Sequence, residues 1–319
     1  MITKIAVLGA GTMGHGMAET FAMHKYEVNL YDISKDKLNQ AKDEIREELI
    51  LLIEQKFFPA DELEATINRI NFISSLQDSV QGCDYVIEAT PENLEVKQQL
   101  FKQLDQYCTA HTILASNTSS FELHKMLKFV SGERKQQIMI NHWYNPAHLM
   151  PLVELSYFGD IKQFVYEEVE NLYHSINKQT VKVLKDIPGL IANRIQQGIA
   201  REVFSLMEMG AVDAENADKA LRYGPGFRYA TTGQLEICDL GGLDVWCVVG
   251  DNLLSVMDNS SEANSLLREK VNEGKLGIKS NEGFYDYRHA DIQAIKTEFA
   301  KRLIHQLKAS DYYEGSLGK

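Results

Sequence analysis

The chain has 319 residues, 44% of them apolar, and its 33 lysines and arginines against 45 acidic residues leave a net charge of −12. That length suits two domains, and the charge disfavours a broad nucleic-acid or anionic-membrane surface, since both need excess basic side chains. No run approaches the roughly 18 apolar residues of a membrane span, and Cys83, Cys108, Cys238 and Cys247 form no C-x-x-C pair, so reduced thiols in a cytoplasmic protein are expected.

The first element is a short apolar strand, Ile5-Ala6-Val7-Leu8, which runs into Gly9-Ala10-Gly11-Thr12-Met13-Gly14. A helix is predicted over 12–24, and a second strand, Val28-Asn29-Leu30-Tyr31, ends at Asp32. In that context the G-x-G-x-x-G spacing has a specific physical reading. Gly9 permits the tight turn, Gly11 lets the backbone approach a pyrophosphate, and Gly14 lets the helix pack on the strand. The helix start at Thr12 and Met13 offers N–H groups and a positive dipole end to the phosphates. Asp32 would accept hydrogen bonds from the adenine ribose, and its charge repels a 2′-phosphate. The expected cofactor is therefore NAD rather than NADP. Lys35 and Lys37 read as solvated charges at the next helix start.

That helix is predicted over 36–57, from Leu38, Ala41, Ile45, Leu49 and Leu52-Ile53 at helical spacing. Strands follow at 69–73, 85–87, 112–115 and 138–140. This alternation argues for a parallel sheet covered on both faces. After the last strand comes His142-Trp143-Tyr144-Asn145-Pro146, with Glu154 twelve residues beyond the histidine. An imidazole takes a proton near neutral pH, and a carboxylate folded back onto its ring would fix the tautomer and stabilise the imidazolium. A metal set of His142, His148 and Glu154 has spacings of six and six, which suit neither a helix face nor a short chelating loop, so no metal is expected.

Beyond about Asp186 the strand pattern stops. Pro188-Gly189 is read as a helix start with the apolar stripe Ile191, Ile195, Ile199, Val203 and Leu206, ending at Gly210. Further helices are predicted at 213–223, 234–240, 244–257, 263–273 and 290–307, with a loose tail after Ser310. The expected organisation is an α/β domain over 1–186 and an all-helical domain over 187–319.

Read together, Gly9 to Gly14, Asp32, Pro91-Glu92-Asn93-Leu94-Glu95-Val96-Lys97, Ser116-Asn117-Thr118-Ser119-Ser120, His142 to Pro146, Glu154, Pro188-Gly189-Leu190-Ile191-Ala192-Asn193-Arg194 and Lys279-Ser280-Asn281-Glu282-Gly283-Phe284-Tyr285 follow a familiar order. The chain resembles the L-3-hydroxyacyl-coenzyme A dehydrogenase family from residue 1 to about 287. The resemblance implies an N-terminal Rossmann-type, doubly wound, mostly parallel sheet, an all-α C-terminal domain, and a homodimer through the C-terminal helices. It implies an NAD-dependent oxidoreductase of fatty-acid type that interconverts an (S)-3-hydroxyacyl group and its 3-oxo form. His142 would be the general base and Glu154 its orienting partner. Ser119 and Asn193 would hold the substrate oxygen. Glu92, Lys97, Asn145 and Lys279 match positions lining the nicotinamide half of the cofactor. Asn193 lies at the start of the second domain, so the site is expected at the domain junction. Read without the family order, Ser119 is a helix N-cap, Glu92 a cap after Pro91, Lys97 a solvated charge, and Asn193 and Lys279 surface residues.

Two segments depart from the acyl-CoA enzymes. Where those carry lysines for the CoA phosphates, this chain has Lys42-Asp43-Glu44-Ile45-Arg46-Glu47-Glu48, four acids and two bases. Where they have a Tyr-Pro-Met-Gly-Pro run, it has Gly224-Pro225-Gly226-Phe227-Arg228-Tyr229-Ala230. The latter looks more like relatives acting on small free acids, such as L-gulonate and L-carnitine dehydrogenases and lambda-crystallin. An arginine can hold a carboxylate bidentately, which makes Arg228 the candidate anchor of a small 3-hydroxy carboxylate. A third alternative is a non-catalytic, crystallin-like NAD binder, for which an intact set of Ser119, His142, Glu154 and Asn193 has no use.

Overall fold

The computed structural model describes residues 2–314, which divide into two compact units, the first ending at Ile191 and the second beginning at Ala192. The first is built on one eight-stranded sheet: β1 (Lys4–Leu8), β2 (Glu27–Tyr31), β3 (Ile70–Ile73), β4 (Tyr85–Glu88), β5 (Ile113–Ser116), β6 (Ile138–Trp143), β7 (Leu152–Ser156) and β8 (Gln179–Val183). Their spatial order is β3-β2-β1-β4-β5-β6-β7-β8. Six strands, β3 through β6, are parallel; β7 runs antiparallel to β6, and β8 is parallel to β7. β1, β4 and β5 are apolar runs buried along nearly their whole length, as a sheet covered on both faces requires. The strand order reverses between β1 and β4, and in such sheets ligands bind beyond the carboxyl ends at that reversal. Gly9, Asp32, Ala89, Asn117 and Tyr144 each follow the last residue of one of the parallel strands.

Helix α1 (Gly14–Met23) is buried over almost its whole length, and α2 (Lys35–Glu54) buries Leu38, Ala41, Ile45, Leu49 and Leu52 on one face. That is the helical stripe read from the sequence. Ser34 caps α2 by accepting from the Lys37 N–H at 3.3 Å. Behind β6, Phe21, Tyr85, Trp143 and Tyr173 pack edge to face. Their polar tips are mutually satisfied: Tyr85 donates to Asn141 Oδ1 at 2.6 Å, and the Trp143 indole N–H donates to the Tyr173 hydroxyl at 3.0 Å. Asn141 and Trp143, the neighbours of His142, are thereby locked on one face of β6, and alternation sends His142 to the other.

β7 and β8 are absent from the predicted elements. β7 carries Glu154 and Ser156 among its apolar residues, both buried, which breaks the continuous apolar run used to find the other strands. The helix read from Pro188 starts only at Ala192, because Gly189 and Leu190 have φ of +80° and +51°, outside the helical region.

The second unit is helical: Ala192–Glu208, Ala214–Tyr223, Pro225–Tyr229, Gln234–Gly241, Leu243–Leu253, Ser265–Asn272 and Ile292–Glu314, with a short 3-10 turn at Ile278–Ser280. The last helix continues past Ser310 to Glu314, where a loose tail was expected; residues 315–319 lie outside the described residues. Among the described residues of this unit, only Ala217, Ile237 and Ile304 are buried apolar side chains. No described helix is long and apolar enough to cross a membrane. The four cysteines are free thiols, and burial pushes Cys83 up to about 12 and Cys108 up to about 11.

Candidate active site

The glycine loop is shaped by contacts that admit no side chain at two of its three glycines. Gly9 has φ +108°, and a Cβ there would lie 2.7 Å from the Ala89 carbonyl oxygen. A Cβ on Gly14 would lie 1.7 Å from the Gly9 carbonyl oxygen, inside any contact distance. At Gly11 a Cβ would meet nothing within 4 Å. The restriction there is not internal packing, and the open face suits a ligand lying against the backbone. The buried Asp32 carboxylate accepts from the Ala10 N–H at 3.0 Å and the Ser34 N–H at 2.9 Å. One lone pair on each oxygen remains for ribose hydroxyls. Loop, carboxylate and helix start therefore fit a dinucleotide with a free 2′-hydroxyl.

Beyond β4 and β5 stands a second carboxylate system. Glu88, fully buried at the end of β4, accepts from Lys97 Nζ at 2.8 and 2.9 Å, from the Thr90 N–H at 3.0 Å, from the Thr90 hydroxyl at 2.6 Å and from the Ser116 hydroxyl. Lys97 is 1% exposed and also reaches Glu92 Oε2 at 3.3 Å and the Thr90 carbonyl at 3.4 Å. It is an interior ammonium, not a solvated helix charge. Glu92 is 40% exposed and accepts from the Thr118 hydroxyl. Burial alone would raise its pKa; the Thr118 bond and the Lys97 charge outweigh that and hold it below the ordinary value. The cap of helix Leu94–Tyr107 is Asn93, which accepts from the Val96 N–H at 3.1 Å, so Glu92 is not the capping residue.

Glu88 was not singled out from the sequence. Its one signal is a carboxylate closing the apolar run Tyr85-Val86-Ile87, a place where an acid needs a partner. The same network orders the turn after β5. Thr118 accepts from the Ser120 and Phe121 N–H groups at 3.2 and 3.3 Å, and Asn117 Oδ1 accepts from the Trp143 N–H at 2.8 Å. Ser119 is half-buried between them, its carbonyl accepting from the Gly189 N–H at 2.9 Å. It caps no helix: the next one, Leu123–Met126, is preceded by Glu122.

His142 and Glu154 face each other directly across the β6–β7 pair. Their closeness comes from strand register, not from a loop folding back. His142 Nδ1 lies 2.7 Å from Glu154 Oε2, and Glu154 Oε1 accepts from the Ile191 N–H at 2.8 Å. Glu154 has no exposed surface and His142 only 7%. A carboxylate acceptor at Nδ1 assigns the ring proton to that nitrogen and leaves a lone pair on Nε2. The Tyr144 ring stands edge-on to His142 at 5.5 Å, and burial, with the nearby Glu154 charge, pushes its hydroxyl up to about 12. Asn145, exposed, follows Tyr144.

The remaining predicted residues lie in the second unit. Asn193 is half-buried in the first turn of helix Ala192–Glu208. Arg228 is exposed on helix Pro225–Tyr229, and Lys279 is exposed in the 3-10 turn. In the α2 segment from Lys42 to Glu48 both bases are engaged: Arg46 pairs bidentately with Glu64 at 2.6 and 3.0 Å, and the Lys42 ammonium lies 5.9 Å from the Phe72 ring centroid.

Comparison with known proteins gives one family. A family model described as "3-hydroxyacyl-CoA dehydrogenase, NAD binding domain" matches residues 4–187, and one described as "3-hydroxyacyl-CoA dehydrogenase, C-terminal domain" matches residues 189–287. The chain is 31% identical to 5-formyl-3-hydroxy-2-methylpyridine 4-carboxylate 5-dehydrogenase of Mesorhizobium japonicum, over 95% of this chain and 97% of that protein. It is 32% identical to the human mitochondrial hydroxyacyl-coenzyme A dehydrogenase, over 90% of this chain and 92% of that protein. A crystal structure of a 5-dehydrogenase of the same pyridine carboxylate, described as an NAD+-dependent dismutase, superposes with a TM-score of 0.87 at 30% identity, covering 96% of this chain and 97% of the other.

Proposed function

The chain belongs to the 3-hydroxyacyl-CoA dehydrogenase family, and from that premise we propose how its side chains divide the work of an NAD-dependent oxidation at a CH–OH group. The observation that carries the assignment is the 2.7 Å contact between His142 Nδ1 and Glu154. Nε2 of His142 removes the 3-hydroxyl proton as the carbonyl forms and returns it in the reverse direction. Glu154, buried and also tied to the Ile191 N–H, holds the ring and stabilises the imidazolium. Ser119 and Asn193 hydrogen-bond the substrate oxygen. NAD, when bound, supplies the hydride acceptor. Gly9, Gly11, Thr12, Met13, Gly14 and Asp32 hold its adenosine and pyrophosphate, and Glu92, Asn145 and Lys279 its nicotinamide half. Lys97 serves from behind by holding Glu92.

The glycines give a separable test. Gly14→Ala must displace the Gly9 carbonyl and is expected to cost roughly 2–3 kcal/mol of stability in urea unfolding. Gly11→Ala is expected to leave the unfolding midpoint unchanged and weaken NADH binding by about tenfold, roughly 1.4 kcal/mol. Wild-type NADH affinity in Gly11→Ala would remove the pyrophosphate from that face.

The substrate is a 3-hydroxyacyl group carried on CoA. A second reading, the same chemistry on a small free 3-hydroxy carboxylate, is favoured by the engaged bases of α2 and by the pyridine carboxylate named for one relative. Rates on acetoacetyl-CoA and on free 3-oxo acids with NADH separate the two. In the second reading Arg228→Ala raises KM for the free acid by roughly 10- to 100-fold, the worth of a charged hydrogen bond, and leaves a thioester unaffected. Equal effects on both count against Arg228 as the anchor. A homodimer through the C-terminal helices belongs to the same proposal. It is supported by Leu243, Val245, Val248 and Leu253, exposed on one helix of a unit with few buried apolar side chains. Free thiols accord with a cytoplasmic location.

A further inference from the structure

Among the described residues, five buried side-chain nitrogen or oxygen atoms have no hydrogen-bond partner. Four of them stand together: Glu19 Oε1 and Oε2, Glu48 Oε2 and His148 Nδ1. Glu19 comes from α1, Glu48 from α2, and His148 from the turn after β6. Glu19 has no exposed surface, and the His148 side chain is 7% exposed. Leaving buried polar atoms without partners is costly, and four such atoms at one point mark a place where a guest could accept their lone pairs.

The spacing says what kind of guest. His148 Nδ1 lies 3.5 Å from Glu48 Oε2 and 3.9 Å from Glu19 Oε2. Both distances exceed the ~2.7–3.2 Å of a hydrogen bond. They come close to the spacing of ligands on one tetrahedral ion, where bonds of ~2.0–2.2 Å put any two ligands about 3.3–3.6 Å apart. The three ligand atoms all lie within 4.8 Å of one another. We propose that Glu19, Glu48 and His148 bind a divalent transition-metal ion of the zinc class.

The surroundings fit that role. The nearby ammonium does not fill the space: Lys178 Nζ donates to the Ala147 and Met150 carbonyls, both at 2.7 Å, and lies 4.6 Å from the Trp143 ring centroid. His15 supports the cluster from outside. Its Nε2 is 3.2 Å from Glu48 Oε1, and its Nδ1 is 2.9 Å from the Gly11 carbonyl. Outer partners of this kind orient metal-binding carboxylates. Glu44 Oε2, 3.5 Å from His15 Nδ1, is a further acid at this edge. The ion fastens the turn that carries Asn145 to the helix that opens at the glycine loop. At that joint only glycine fits easily, since a Cβ on Gly16 would lie 3.2 Å from Ala147 Cβ and 3.3 Å from His148 N.

The site is independent of the substrate and is tested without turnover. The full chain is purified, stripped with a chelator, checked for NADH binding, and titrated with Zn2+ alone near neutral pH, by calorimetry and thermal unfolding. The expected result is one Zn2+ per chain with a rise in Tm. Glu19→Gln and His148→Ala, each still binding NADH, are expected to weaken uptake on the order of 100-fold. The proposal is overturned if the stripped, NADH-binding wild type takes up no stoichiometric Zn2+, as a shared proton or a buried water would give. It is equally overturned if both variants bind Zn2+ with wild-type affinity.

Discussion

His142→Ala is expected to lower kcat by about 10³–10⁴-fold, at the upper end of what a positioned base contributes, while NADH affinity stays within about threefold, less than 1 kcal/mol. The split follows from the geometry. The His142 ring is held by Glu154 and touches Tyr144, whereas the dinucleotide loop is held by Asp32 and by backbone packing around Gly9 and Gly14. Alanine also leaves Glu154 buried with one partner fewer, which adds a structural component to the loss. His142→Gln separates the two effects. Its amide can still donate to Glu154, but it has no basic nitrogen. Steady-state rates with NADH, alongside fluorescence titration of NADH, give the answer: turnover retained in either variant, with intact cofactor binding, removes His142 as the base.

The largest expected loss of stability is at Lys97. Lys97→Met would leave Glu88 charged, wholly buried and without its cation. Breaking a buried pair from one side costs about 3–5 kcal/mol, mainly because the remaining charge has no water to return to. The double variant Glu88→Gln with Lys97→Met removes that orphan and keeps a carbonyl for the Thr90 groups, so it should recover most of the loss. Urea unfolding of the single and double variants closes the cycle. If Lys97→Met alone is as stable as wild type, the pair does not hold the turn between β4 and the following helix. A cofactor effect is expected with it. Glu92 loses the cation that helps hold its carboxyl low, and the Thr118 bond that orders the Ser119 turn weakens with it.

Much of this arrangement was legible in local pattern. The glycine loop reads correctly because its causes are local: a turn needing positive φ at Gly9 and a helix packing on its own preceding strand at Gly14. The α2 stripe and most of the C-terminal helices read correctly for the same reason, since a 3.6-residue period is a property of a single segment. Glu88 and the burial of Lys97 were not legible. An acid at a strand end and a lysine in a helix look solvated until the fold brings Lys97 and Ser116 onto one carboxylate. His148 was weighed with His142 and Glu154, but the turn after β6 sends it toward Glu19 and Glu48 on two helices far earlier in the chain.

The sequence by itself determined the strand–glycine turn–helix unit at the N-terminal end of the NAD-binding domain, the α/β-then-helical order and the family. Each of these rests on short-range spacing or on an ordered set of motifs. Only the tertiary structure decided how His142 meets Glu154. That contact depends on β7 being a strand, on its running antiparallel to β6, and on a register that sets 142 opposite 154. A shift of one residue would turn Glu154 to the other face of the sheet. Direction and register are settled by packing between distant segments, which no local period encodes.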